Sequence, residues 1–232
     1  MVMDHRVHTS VIFVSRTKGT PDFEAFRNGD FRLEPPEVSE AAIAQARIVH
    51  ASTFALSREP CRSAVEHAFQ LAQAQGKLIS LDPNYSPQIW PDYPEAMEVL
   101  RHMMGYATLS KPSLDDARRV FGEGQTPEAY IDRFHALGPK VIVLTMGGEG
   151  ILLSVEGRRT YIPAQPVKIV DATGAGDSFW AGFLVALLDG NPLERCVYFA
   201  REVVGRKLTR VGPLPDDLDR AEIYEAIEMG NG

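Results

Sequence analysis

The sequence predicts an α/β fold in which a mostly parallel sheet has helices on both faces. After Glu34-Pro35-Pro36, short apolar runs alternate with segments whose apolar residues recur every three or four positions. The first pattern is typical of buried strands and the second of helices. Strands that alternate with helices at this spacing pair in parallel, and helices then cover both faces of the sheet.

The N-terminal part of the chain has a different pattern. His8–Ser15 is β-like, the stretch 17–22 is rich in turn residues, and Phe23–Arg27 can form a return strand. We therefore expect a β-hairpin in residues 1–34 and an α/β core in residues 35–232.

The order of elements in this core follows from the spacing of its apolar residues. It predicts helices over 41–46, 62–75, 94–104, 114–121 and 126–137, one directly after Gly176, one from Asn191-Pro192 towards Leu208, and one over 221–229. It predicts strands over 48–51, 78–81, 141–145, 151–155 and 160–162. Ligands of such sheets bind beyond the carboxyl ends of the strands, so we expect functional loops after Leu81, Leu144 and Val170.

Composition excludes several classes of function. The chain has 232 residues, enough for one domain with a small appendage. Its net charge of −7, with both signs interspersed, disfavours a surface for nucleic acid or for an anionic membrane. The two cysteines, Cys61 and Cys196, are expected in the core of a protein from a reducing compartment. We see neither a signal peptide nor a membrane span, and we expect a cytoplasmic protein.

The run Asp171-Ala-Thr-Gly-Ala-Gly-Asp177-Ser-Phe179 is the most informative stretch of the sequence. A helical pattern begins at once after it, so Gly174-Ala175-Gly176 should lie at a helix N-terminus. The first amides of a helix have no partner within it and favour anions, phosphate in particular. Asp177 at the same place suits phosphoryl transfer, in which a carboxylate takes the proton of the attacking hydroxyl. The alternative is a glycine-rich turn with an aspartate cap.

These nine residues resemble the second signature of the ribokinase/PfkB family of carbohydrate kinases, usually D-T-x-G-A-G-D-x-F. The resemblance runs through Asp171, the Gly-Ala-Gly run 174–176, Asp177 and Phe179, with Thr173 inside the motif. It implies a ribokinase-like three-layer sandwich that uses ATP and Mg²⁺. It also implies that Asp177 is the general base and that the amides of Gly174, Ala175 and Gly176 form an anion hole.

Two loops extend the resemblance. Leu144-Thr-Met-Gly-Gly-Glu-Gly150 resembles the T-x-G-x-x-G loop of the family, which implies that Thr145, Gly147 and Gly150 surround the nucleotide together with Thr173. A tight turn explains the same glycines. Asp82-Pro-Asn-Tyr-Ser-Pro resembles the fructokinase-like branch and adds Asn84 to the nucleotide side. The alternative there is a proline-rich turn held by an aspartate side chain, with Trp90 as a core residue.

Two further segments depart from the family pattern. Ser113 and Asp116 stand where the family has N-x-x-E, and this pair is also a good helix cap. The stretch 199–212 resembles the helix on the adenine side and its T-R-x-G end, but it carries Glu202, Arg206 and Lys207 where relatives often have small residues. Many relatives hold a monovalent cation such as K⁺ near these motifs, and the matching positions are Asp171, Thr173 and Gly212.

The resemblance covers residues 8–215 and corresponds to the later part of a family member. The sugar-binding aspartate of the first strand and the G-G-x-x-x-N motif are not found. Three explanations stay open: an N-terminally shortened sequence, a short protein completed by a partner chain, or a degenerate kinase. We expect ATP-dependent phosphorylation of a hydroxyl of a sugar or sugar acid. The alternative is a non-catalytic nucleotide-binding or assembly protein. The apolar edge 11–14 predicts a homodimer through the hairpin.

Overall fold

The structure is a computed structural model that describes residues 2–15 and 23–230. Two short strands, β1 (Val11–Val14) and β2 (Phe23–Phe26), pair with each other at the N-terminus. The strands of the predicted hairpin are therefore present, shorter than predicted. The turn predicted over 17–22 lies outside the described residues.

The main sheet confirms the α/β class. Its strands are β3 (Ile48–Ser52), β4 (Leu78–Asp82), β5 (Leu109–Ser110), β6 (Val141–Thr145), β7 (Ile151–Val155) and β8 (Arg158–Ile162), and they follow one another in chain order. The first four are parallel, with Ile48 opposite Leu78, Ser80 opposite Leu109, and Leu109 opposite Val141. Helices connect the parallel strands, as such pairing requires.

The helices agree with the sequence pattern to within about two residues at most ends, the usual scatter of helix boundaries. They are α1 (Glu40–Gln45), α2 (Thr53–Leu56), α3 (Cys61–Ala74), α4 (Tyr93–Met104), α5 (Leu114–Phe121), α6 (Pro127–His135), α7 (Ala175–Leu188), α8 (Leu193–Leu208) and α9 (Arg220–Gly230). The sequence pattern did not predict α2 or β5, because elements of four and two residues are too short to show a period. None of the helices in the described residues is long and apolar enough to cross a membrane.

The contacts between residues divide the chain into two compact units. The first comprises the described residues up to Phe13 with Glu24–Leu144 and Ser154–Arg159. The second comprises the described residues of Val14–Phe23 with Thr145–Leu153 and Thr160–Gly232. The predicted division into residues 1–34 and 35–232 stays a prediction.

The second unit owes its core to the packing of α7 against α8. Trp180 and Phe183 of α7 are buried and their rings stack at 4.7 Å. Gly182 lets the two helices approach closely, because a β-carbon there would lie 3.2 Å from the Cα atom of Ala200. Cys196 of α8 is buried, as predicted, and burial raises the pKa of its thiol to about 11. This packing anchors α7, whose N-terminus is described below, against α8.

Candidate active site

The N-terminus of α7 is shaped by a left-handed glycine. Gly174 is the cap residue, with φ 71° and ψ 14°, and α7 begins at Ala175. Residues with a side chain rarely adopt this conformation, whereas glycine adopts it without strain. A β-carbon at Gly174 would meet no atom within 4 Å, so the backbone angle and not crowding requires glycine here.

Three amides at this helix start are free. Those of Gly174, Gly176 and Asp177 make no hydrogen bond to another described residue. The amide of Ala175, which the sequence assigned to the anion hole, instead donates to the carbonyl of Ala172 at 3.1 Å. It is already satisfied by the turn that leads into the helix. Unpaired N–H groups at the positive end of this 14-residue helix are therefore still available to bind an anion.

Asp177 is the third residue of α7 and is exposed to solvent. Its carboxylate makes no ion pair or hydrogen bond with any residue of the described chain. A carboxylate in this state is free to accept a proton from a bound hydroxyl. It lies one residue after Gly176, so this carboxylate and the free amides belong to one turn of one helix.

The buried carboxylate of Asp171 gathers the predicted cation residues around it. The backbone N–H of Thr173 donates to Oδ1 of Asp171 at 3.0 Å. That bond, the Lys207 ammonium group and the backbone N–H of Gly212 hold the pKa of the Asp171 carboxyl below its usual range. The structure therefore brings Asp171, Thr173 and Gly212 together.

Lys207 is a residue of this site that the sequence pattern does not predict. It lies in the last turn of α8 and its side chain is only 4% exposed. Nζ donates to the backbone carbonyl of Asp171 at 3.3 Å and lies 3.8 Å from Oδ2 of the same residue. The signal in the sequence is that Lys207 stands where relatives often have small residues.

The glycines of the predicted nucleotide loop have different roles. Thr145 ends β6, and the loop continues as a short 3₁₀ turn over Gly147–Glu149. Gly150 has φ 98° and sits against the carbonyl oxygen of Ile162, which a β-carbon would approach to 2.6 Å. Gly147, with φ 57°, is exposed and has no neighbour within 4 Å of a β-carbon. Close packing therefore explains Gly150, and Gly147 is the glycine open to a ligand.

The predicted residues of the first unit lie in local turns and caps. The backbone N–H of Asn84 donates to Oδ1 of Asp82 at 3.2 Å, as in an aspartate-held turn, and the Asn84 side chain is exposed. Ser113 and Asp116 exchange hydrogen bonds that cap α5. Trp90 is a core residue, as predicted, with its indole N–H bonded to the carbonyl of Thr53.

A buried ion pair in the same unit was also missed from the sequence. Nζ of Lys111 lies 2.9 Å from Oδ2 of Asp82, and each side chain is 5% exposed. Buried charges require such a partner. The two residues follow one another across neighbouring parallel strands, since Asp82 ends β4 and Lys111 comes directly after β5. Because β5 has only two residues, the sequence pattern does not reveal that it pairs with β4, and so it does not predict this ion pair.

The geometry agrees with the family that the motifs suggested. A family model described as pfkB family carbohydrate kinase matches residues 1–216. The chain belongs to the pfkB family of carbohydrate kinases. It is 33% identical over 213 residues to an ATP-dependent 6-phosphofructokinase of Thermoanaerobacterium thermosaccharolyticum. That match covers 91% of this chain and 66% of the relative, so the chain spans less than two thirds of that protein's length.

Solved structures confirm the ribokinase-like α/β fold of this pfkB-family chain. A fructokinase of Halothermothrix orenii superposes with a TM-score of 0.71 at 34% identity, covering 90% of this chain and 70% of its own. A protein of E. coli assigned as a ribokinase II, solved in complex with ATP and Mg²⁺, has a TM-score of 0.81 at 25% identity. It covers 93% of this chain and 70% of its own. The predicted family and fold are therefore both confirmed.

Proposed function

We propose that this chain carries the nucleotide and catalytic part of an ATP-dependent kinase that phosphorylates a hydroxyl of a sugar or sugar acid. One observation supports this most directly. The free carboxylate of Asp177 and the free amides of Gly174 and Gly176 lie on the same helix turn. A phosphate-binding site alone has little use for a carboxylate, because like charges repel one another there.

In the proposed reaction Asp177 acts as the general base. Its carboxylate takes the proton of the sugar hydroxyl as the hydroxyl oxygen attacks the terminal phosphorus of ATP, and ADP leaves. The amides at the start of α7 stabilise the charge on the transferred group, and the positive end of the helix adds to that effect. Both contributions come from groups already in place, so the protein need not reorganise during the step.

Thr145, Gly147 and Thr173 are proposed on the nucleotide side, with Gly150 shaping the loop. For Asn84 the only support is the family resemblance of its loop. Mg²⁺ bound with ATP neutralises phosphate charge. No group of three or more histidine, cysteine, aspartate or glutamate side chains in the described residues forms a metal cage. That fits an ion held mainly by phosphates and water, which is usual for Mg²⁺. The free buried thiols suit a cytoplasmic location.

The chemistry of the sugar is proposed from the names of the relatives, a 6-phosphofructokinase and a fructokinase. We therefore take fructose and fructose 6-phosphate as the first substrates to test. The alternative function is a nucleotide-binding or assembly protein without catalysis.

The deciding experiment measures ADP formation from ATP·Mg²⁺ with and without fructose, fructose 6-phosphate and a panel of sugar acids. Calorimetry on the same protein measures ATP affinity. Sugar-dependent ADP formation supports the kinase, and nucleotide binding without any turnover supports the alternative. A protein that neither binds ATP nor turns it over contradicts both. Any in-frame coding sequence upstream of Met1 should be included in a second, longer protein.

The anion hole has its own prediction. Gly174→Val should weaken ATP binding by roughly tenfold, because a β-branched residue at φ 71° is strained by about 1–3 kcal/mol and the turn will shift its amides. Ser178→Ala, four residues further along the chain, leaves the backbone conformation unchanged and serves as the matched control. The two affinities are compared by calorimetry, and equal values would contradict the placement of the phosphate.

We also propose that the chain forms a homodimer through the β1–β2 hairpin. All four residues of β1 are exposed although all are apolar, and Phe26 of β2 is exposed as well. The rings of Phe13 and Phe26 meet edge to face, 5.6 Å apart, and form one apolar patch. A short strand with an apolar surface and an open edge recruits another strand.

A further inference from the structure

The buried ammonium group of Lys207 is the least expected feature of the site. Its nitrogen contacts two oxygens of one residue, the carbonyl and Oδ2 of Asp171, at 3.3 and 3.8 Å. Both side chains are about 5% exposed or less. A lysine is almost never buried without a compensating partner, and the compensating charge here is Asp171. The pair is therefore a fixed, nearly neutral unit beside the start of α7.

Backbone hydrogen bonds hold the two residues in this relation. The amides of Val170 and Asp171 both donate to the carbonyl of Leu208, at 2.7 and 3.3 Å. Leu208 is the next residue after Lys207, so the end of α8 is tied to the segment that leads into the anion hole. The lysine side chain thus starts from a fixed point and has little freedom to leave Asp171.

The residues present do not fit the monovalent cation that the family resemblance implies. A cation at this place would need the oxygens of Asp171, which Lys207 already contacts. Gly212 turns its N–H group towards the Asp171 carboxylate, and an N–H group repels a cation. A K⁺ ion would also stand within a few ångströms of the ammonium group, where two positive charges repel strongly.

We infer that the ammonium group of Lys207 takes the place of a monovalent cation beside the phosphate site, so that this protein needs no K⁺. Lysine is a compact point charge with three donors, and it can satisfy the same oxygens that a K⁺ ion would. Unlike an ion, it is attached to the chain and is present at every salt concentration. Only the role of this ammonium group in catalysis rests on the proposed function. Whether it replaces a bound K⁺ ion can be tested without measuring turnover.

The first test measures the midpoint of thermal unfolding of the unmodified protein. It compares KCl with tetramethylammonium chloride at equal ionic strength, because tetramethylammonium is too large to enter a K⁺ site. We expect the same midpoint in both salts. A midpoint that rises with K⁺ and saturates as binding does would overturn the inference.

The second test removes the ammonium group. Lys207→Met keeps the length of the side chain and leaves Asp171 buried without its partner, so the midpoint should fall in tetramethylammonium chloride. KCl should then restore part of it, by about 3–6 °C when K⁺ is at ten times its dissociation constant. Lys168→Met, an exposed lysine of the same unit, is the matched control and should show no K⁺ response.

The response of the two proteins to K⁺ decides the inference. A Lys207→Met protein that K⁺ stabilises, beside an unmodified protein that it does not, supports the inference. A Lys207→Met protein without a K⁺ response overturns it. If this variant cannot be recovered folded, the unmodified protein alone decides, by showing or lacking a K⁺-dependent midpoint. Loss of the proposed kinase function would leave each of these measurements unchanged, because none of them reads activity.

Discussion

Asp177→Asn is expected to lower sugar-dependent ATP turnover by about 10²–10⁴-fold, the usual contribution of a general base. Asparagine keeps the shape of the side chain but cannot accept the proton of the attacking hydroxyl. ATP affinity should stay the same or rise slightly, because a negative charge near the bound phosphates has been removed. The loss of a carboxylate from the first turn of α7 should cost about 0.3–1 kcal/mol of stability at most. Steady-state kinetics and calorimetry measure the two effects separately.

The matched control is Asp189→Asn at the other end of α7. It makes the same chemical change, and Asp189 is engaged with Arg220 and Tyr224, away from the helix start. This variant should lose some stability and keep its turnover. Turnover that survives in Asp177→Asn at the level of the unmodified protein would remove Asp177 from the role of base.

The start of α7 could be predicted from sequence because two independent signals meet there. The Gly-Ala-Gly run indicates a turn that needs an unusual backbone conformation. The apolar residues after it recur with the period of a helix. In the structure α7 begins at Ala175, and Gly174 is left-handed. The hydrogen bond of the Ala175 amide could not be predicted. It depends on the local turn angle at Ala172, which the sequence pattern leaves free.

The length of each strand decides whether the sequence predicts it. The strands β4 and β6 are five residues long and apolar, so each carries a clear pattern. β5 has two residues and is held in place by its neighbours, with Leu109 paired to both Ser80 and Val141. Tertiary pairing, and not local preference, makes this segment a strand, and a period cannot appear in two residues.

Lys207 shows where local reasoning fails. Its contact with Asp171 spans 36 residues of sequence. Burial and pairing of a lysine are decided by what the fold brings beside it, and here the bonds of Leu208 bring the loop before α7. The family pattern did mark the position as unusual. Only the three-dimensional contact shows that this unusual residue lies against Asp171, in the segment that leads to the start of α7.

The second large effect is expected in the oligomeric state. Replacing Ile12 and Val14 of β1 with lysine should convert a dimer into a monomer, because two charges would have to be buried at the paired edge. Both residues are exposed in the single chain, at 48% and 38%, so the change should leave folding of the monomer nearly intact. Sedimentation equilibrium measures the result.

The matched control replaces Val211 and Met229, two exposed apolar residues of the second unit, with lysine and should leave the dimer unchanged. A dimer that survives the Ile12 and Val14 changes would place the interface elsewhere, and an unmodified protein that sediments as a monomer would rule out pairing through the hairpin.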